Sequence, residues 1–107
     1  MFREHYDQGY QSPAEGIWVK ALTYDEKTML VEFRMDAGAA LPPHQHPHEQ
    51  SGYLVSGHIK LTIGDEAFDA RPGDGWTIPG DVPHKARIIE DSVAVEVFSP
   101  PREEYLA

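Results

Sequence analysis

Between Gly38 and Gly57 the chain reads GAALPPHQHPHEQSGYLVSG, and a further histidine closes the segment PGDVPH at His84. Imidazole nitrogens and an amide or carboxylate oxygen at this density point to a divalent metal site, with His44, His46, Gln50 and His84 as candidate ligands. Such a set leaves coordination positions open, so the ion can do chemistry rather than only hold the fold. His44 and His46 are two residues apart and share a side if the segment is extended. Pro42 and Pro43 fix the backbone just before them, which lowers the entropy cost of aiming two imidazoles at one point. His48 and Glu49 compete with Gln50 for the third position. A one-residue shift on a strand reverses the side chain's face, but Pro47 interrupts the segment, so parity alone does not choose among them. His5 and His58 read as surface residues, the latter because it alternates against Ile59 and Leu61.

The elements that must carry these ligands read as strands. Nine glycines and nine prolines in 107 residues punctuate short runs rich in β-branched and aromatic residues. Strands are expected near 16–24, 27–35, 50–56, 58–63, 66–70, 74–79, 84–90 and 92–99, with turns at Gly57, at Gly64-Asp65 and at Arg71-Pro72-Gly73. Met29, Val31, Phe33 and Met35 alternate with Glu32 and Arg34, and Ile59, Leu61 and Ile63 alternate with polar neighbours. Half-buried strands of this kind suit an antiparallel sandwich or barrel. The first fifteen residues and the tail after Ser99 are the least regular parts, and either could pack on a partner subunit. Trp76, Tyr53 and Phe68 are candidates for lining a ligand pocket by stacking. Phe68 is expected in the core, and Tyr53, opposite in parity to Gln50, is expected to point away from the metal.

Composition narrows the function classes. The formal charge is −9, from 18 acidic and 9 basic residues. That argues against a nucleic-acid partner, which needs a basic face. There are no cysteines, so thiolate zinc sites, iron–sulfur clusters and disulfides are excluded. No apolar run is long enough to span a membrane. The N-terminus lacks a signal peptide's apolar stretch, so a cytoplasmic location is expected. The length suits one domain over residues 1–107.

Taken together, the spacings resemble a known family. Gly38, His44, His46, Gln50 and Gly57 fall at the positions of the first cupin motif, and Gly73, Pro79 and His84 at those of the second. The resemblance implies an all-β fold, the double-stranded β-helix (antiparallel jelly-roll barrel) of a small cupin. It also favours Gln50 over its two competitors. The chain departs from the pattern at Gln50, where cupins usually have Glu, and at Asp81 and Ile88, where the second motif has Gly and Asn. A neutral amide would leave the ion its full charge and make it a stronger Lewis acid. The imidazole and amide set suits Zn, Ni, Fe or Mn alike.

HPHEQ at 46–50 with VFSPPREEYL at 97–106 is similar to the KdgF-type cupins of pectin and alginate catabolism, which convert unsaturated monouronates into linear 5-keto-4-deoxyuronates. That likeness implies a small anionic substrate, a sugar acid, and a homodimer. It also implies catalytic roles for Glu96, Phe98 and Arg102, with Glu96 where the relatives carry Asp. Alternation alone would bury Val93, Val95 and Val97 and leave Glu96 outside; the resemblance puts Glu96 and Phe98 inside. An iron-dependent dioxygenase and a non-catalytic ligand-binding cupin are the rival readings.

Overall fold

The computed structural model describes residues 1–106. It is built from β1 (Gln11–Ala14), β2 (Ile17–Tyr24), β3 (Met29–Met35), β4 (Ala40–His44), β5 (Glu49–Ile63), β6 (Glu66–Ala70), β7 (Gly75–Ile78), β8 (His84–Ser99) and a short 3-10 turn over Glu103–Tyr105. All strand pairs are antiparallel. The long strands β5 and β8 pair along their whole length, from Glu49 opposite Ser99 to Ile63 opposite His84. At one end they are flanked by β3, on β8, and β7, on β5. At the other end β4 lies on β8 and β6 lies on β5. A bent two-strand ribbon therefore belongs to both sheets of the jelly roll, with the core enclosed between them.

The bend corrects the expected turn at Gly57. Residues 50–56 and 58–63 form one strand, as do 84–90 and 92–99. Gly57 sits inside β5 at φ +96°, amid register shifts between Leu54 and Ile59. A Cβ there would lie 2.1 Å from Ser92 Oγ, so only glycine lets β5 fold in against β8. Ser92 Oγ accepts from the His58 N–H at 3.1 Å and donates to the Glu90 carbonyl at 2.7 Å, which satisfies backbone that the bulge would otherwise leave unpaired. Two other strands, β1 and β4, lie where no strand was expected. Both are short and carry prolines, which weakens the pattern a strand leaves in a sequence.

Met29, Val31, Phe33 and Met35 all face the core, with Ile17 and Val19 of β2, Leu54 and Ile59 of β5, and Ala94 and Phe98 of β8. The tail is tied down as well. The Tyr105 ring meets Phe33 and Phe98 edge-on at 6.1 and 5.8 Å between centroids. Phe68 is not in the core; it is 47% exposed on the short strand β6. Leu54, 0% exposed, is away from the ligand residues. Leu54→Ala is expected to cost about 3 kcal/mol through lost transfer energy and the cavity left behind. Urea melts would show this as a lower midpoint with an unchanged m-value; a loss below about 1 kcal/mol would contradict this account of the core.

Candidate metal centre

The barrel brings the four ligand candidates together from different elements. His44 ends β4 and His84 starts β8, and the two are register partners. Gln50 enters from β5, next to Phe98 of β8 and Ile78 of β7. His46 stands in the connection between β4 and β5, two residues beyond the end of the strand on which the sequence would have paired it with His44. That connection is held from below. The Asp81 N–H donates to the His46 carbonyl at 2.8 Å, and a Cβ at Gly80 would collide with the Pro47 carbonyl oxygen at 2.5 Å. Asp81 itself has φ 63°. It takes the left-handed conformation for which the family motif uses glycine, and aspartate is among the few side chains that tolerate it.

Ligand-capable atoms of His44, His46 and His84 all lie within 4.8 Å of one another. Each ring is oriented by a backbone carbonyl on its Nδ1: Pro42 for His44, His48 for His46 and Val82 for His84, all at 2.9 Å. A carbonyl can only accept, so Nδ1 carries the proton and the lone pair is on Nε2. The Nε2 atoms of His46 and His84 are buried with no hydrogen-bond partner, and so is Gln50 Oε1. Leaving buried acceptors unpaired costs free energy; a cation held by the histidine cluster would satisfy the two imidazoles, and Gln50 lines the same cavity as His44 and His84, while His48 Nδ1, also buried without a partner, is not in the cluster. The residues therefore fit a metal ion. Burial, and secondarily the nearby Arg102, holds the His46 imidazole below its ordinary pKa, and burial does the same at His84. Both favour the neutral, ligating form.

His48 stands outside this group. It contributes its carbonyl to His46 and its ring packs 5.5 Å from that of His46. Glu49 is exposed, whereas Gln50 is 5% exposed. Gln50→Ala is accordingly expected to lower metal affinity by roughly tenfold or more, while Glu49→Ala changes it less than twofold. Competitive titration with a chromophoric chelator gives both numbers, and the reverse order would reject Gln50 as the third-position residue.

Glu96 is inside the barrel, 7% exposed, with Val97 outside at 39%. The strand's alternation is real but its faces are inverted relative to a simple hydrophobic count. Glu96 Oε1 accepts from Gln50 Nε2 at 2.7 Å and from Trp76 Nε1 at 3.0 Å. Burial raises the carboxyl's pKa against the pull of these two donors and of Arg102. Phe98 is fully buried and its ring lies 6.0 Å from that of His46; it is a wall of the site. Arg102, 9% exposed, is stacked over the Phe98 and Tyr105 rings at 5.2 and 4.6 Å. Its Nε donates to Glu104 Oε1 at 2.7 Å and its Nη1 to the Tyr105 hydroxyl at 3.0 Å. The tail ion pair and the place at the site thus coexist, and the guanidinium has more N–H groups than these partners use.

His44, His84, Gln50, Trp76, Glu96 and Arg102 line one cavity of about 50 Å³, with about 530 Å³ of free space when its open mouth is counted. Tyr53 points away from it and is 50% exposed. His58 is not free at the surface: its ring pairs with Asp69 at 2.9 Å. Trp76 lines the cavity as a pocket aromatic and in addition donates a hydrogen bond to Glu96, a role the sequence did not show. Tyr105 from the irregular tail, which was not anticipated, lines the cavity beside Arg102.

Residues 31–99 match the family model described as "Cupin domain". The chain belongs to the cupin family. Among solved structures, this cupin is similar to KdgF from Halomonas sp., with 34% identity, a TM-score of 0.84, and 89% of this chain and 90% of that one covered. An RmlC-like cupin from Shewanella frigidimarina NCIMB 400 superposes with a TM-score of 0.86 at 26% identity over 95% of this chain and 96% of that one. Among curated sequences it is similar to the pectin degradation protein KdgF of Dickeya dadantii (strain 3937), 28% identical over 91% of this chain and 90% of that protein. Among the described residues no helix is long and apolar enough to cross a membrane.

Proposed function

We propose that this cupin is a metal-dependent enzyme acting on a small sugar acid, opening the ring of a 4,5-unsaturated monouronate to a linear 5-keto-4-deoxyuronate. The observation that carries the reading is Glu96, a buried carboxyl that lines the same cavity as His44, His84 and Arg102 and is joined directly to Gln50. The likeness to KdgF supplies the substrate class. A buried acid with no structural partner of opposite charge in contact is costly to keep, and its retention beside three convergent imidazoles is what a proton-transfer role explains.

The reaction is an isomerisation and needs no oxidant. The proton leaves the C1 hydroxyl for the general base, the bond from C1 to the ring oxygen breaks to give an aldehyde, and the enolate left at C5 becomes a ketone as a proton returns to C4. When bound, a divalent ion such as Zn, Ni, Fe or Mn would supply Lewis-acid charge for the substrate's carboxylate or hydroxyl oxygens. His44, His46, Gln50 and His84 would hold it. Gln50 adds no charge of its own, so the site remains attractive to an anion. Glu96 carries the proton: both protein donors reach Oε1, which leaves Oε2 to give and take it. Arg102 would orient the carboxylate through its unused N–H groups, and Phe98 and Tyr105 keep it in place and exclude water.

Residues 1–107 are read as one cupin domain that works as a homodimer, with the exposed Tyr53 and Val97 on the outer face as its contact. Sedimentation at several concentrations tests the assembly. The activity is tested by mixing metal-loaded protein with a 4,5-unsaturated monouronate and following the loss of its conjugated ultraviolet absorbance. Loss well above the spontaneous rate supports the reading, and loss at the spontaneous rate rejects this substrate class.

A further inference from the structure

Three neighbouring strands place Trp76, Gly52 and Glu96 in one row: Gly52 of β5 is the register partner of Trp76 of β7 on one side and of Glu96 of β8 on the other. An indole on β7 can meet a carboxylate on β8 only by crossing the strand between them. Gly52 makes the crossing available. A Cβ at this position would stand 2.2 Å from both Trp76 Cε2 and Nε1 and 2.4 Å from Cζ2, so the indole lies directly on the glycine backbone where any side chain would be. Gly52 has no positive φ of the kind recorded at the turn glycines; its need for glycine is steric and not conformational. The consequence is the 3.0 Å bond from Trp76 Nε1 to Glu96 Oε1, the same oxygen that Gln50 Nε2 reaches at 2.7 Å. Among the described residues Oε2 has no hydrogen-bond partner.

We propose that Trp76, seated on Gly52, is a positioning residue that commits Oε1 of Glu96 to the protein and so fixes Oε2 as the oxygen that meets the substrate. The indole N–H is donor only, so it cannot accept from a protonated oxygen; a carboxyl turned so that its O–H faces the indole would leave that proton without an acceptor. With Gln50 alone, whose amide can turn over, the carboxyl would have a second orientation. Trp76 removes it. Trp76 acts through Glu96 and has no role as a stacking platform for sugar in this account. The catalytic part of the proposal rests on the sugar-acid reading above, whereas the indole-to-carboxyl bond does not.

The test separates the two. The chain has two tryptophans, and Trp18 is 38% exposed, so a 15N–1H spectrum shows two indole signals, assigned by Trp18→Phe. The Trp76 indole proton is expected to exchange with solvent at least about tenfold more slowly than that of Trp18. It should move upfield in Glu96→Leu, which removes the acceptor, and in Gly52→Ala, which lifts the ring. An indole signal indifferent to both substitutions would overturn the proposal, whether or not the protein turns over a uronate. Trp76→Phe keeps most of the bulk and removes the donor. On the unsaturated monouronate it should lower kcat by about tenfold with KM and metal affinity within about twofold, and Trp76→His, which retains a ring N–H, should recover part of the loss. A raised KM with unchanged kcat would mean that the ring binds sugar instead, and would overturn the positioning role. If the wild-type protein leaves the uronate untouched while the Trp76 signal responds as expected, the substrate reading fails and the bond stands.

Discussion

His84→Ala is expected to remove metal binding while leaving the fold in place. The affinity should drop by at least about 100-fold, since substitutions that only disturb a ligand's orientation already cost tenfold to 100-fold. Two measurements read different links of the argument. Metal content after dialysis, by mass spectrometry, reports the site. The melting curve reports its coupling to folding: an ion at 100 times its dissociation constant stabilises the native state by about 2.7 kcal/mol, provided the unfolded chain does not bind it. Wild-type protein should gain that increment on metal addition, and His84→Ala should gain almost none. The metal-free forms should differ less than the metal-bound ones, because deleting the buried, unpartnered Nε2 relieves a cost that offsets loss of the Nδ1–H bond to the Val82 carbonyl. Equal metal content in the two proteins, or an equal gain in stability, would remove His84 from the site. His44→Ala and His46→Ala should behave alike, with His46→Ala losing more in the metal-free state because its ring packs on Phe98.

The histidine cluster was legible in the sequence because its information is local. His44, His46 and Gln50 lie within seven residues, and the only distant member, His84, lies in a recognisable second segment. The orientation of the rings was not legible, since it comes from carbonyls of Pro42, His48 and Val82, and any residue offers a carbonyl. The strands with alternating faces were found where they are. Their continuity was missed at Gly57 because a glycine inside a strand and a glycine in a turn look alike until the partner strand is known; here Ser92 decides it. Glu96 was the real ambiguity. Val93, Val95 and Val97 are the more apolar set, and hydrophobic counting buries them. The structure puts Ala94, Glu96 and Phe98 inside, because the inner face of this strand end surrounds the site and a polar group there has partners. The link from Trp76 to Glu96 spans three strands and could be read only once the register was known.

Glu96→Gln isolates the proton from the shape. The amide is isosteric, and its oxygen can take over both bonds that Oε1 accepts from Gln50 and Trp76. The group opposite becomes an NH2 that does not serve as acid or base at neutral pH. Turnover of the unsaturated monouronate should therefore fall by about 10²–10⁴-fold, the usual range for loss of a general acid–base residue, while metal content and KM stay close to wild type. Glu96→Leu should lose as much activity and, in addition, weaken metal binding and stability, because two buried donors are left without an acceptor. The stability of the metal-free Gln variant also has a defined sign. Burial raises the Glu96 pKa above its ordinary value of 4.5. A group raised in the folded state supports folding below its unfolded pKa and loses that contribution as the pH rises through the folded value. Relative to Glu96→Gln, the wild-type apoprotein should thus hold its own near pH 4 and fall behind on the way to pH 7, on the order of one unit of pKa difference being worth 1.4 kcal/mol. A Gln variant with undiminished turnover would show that Glu96 holds Gln50 in place and nothing more; a stability difference that does not change with pH would show that the carboxyl is not buried as the structure has it.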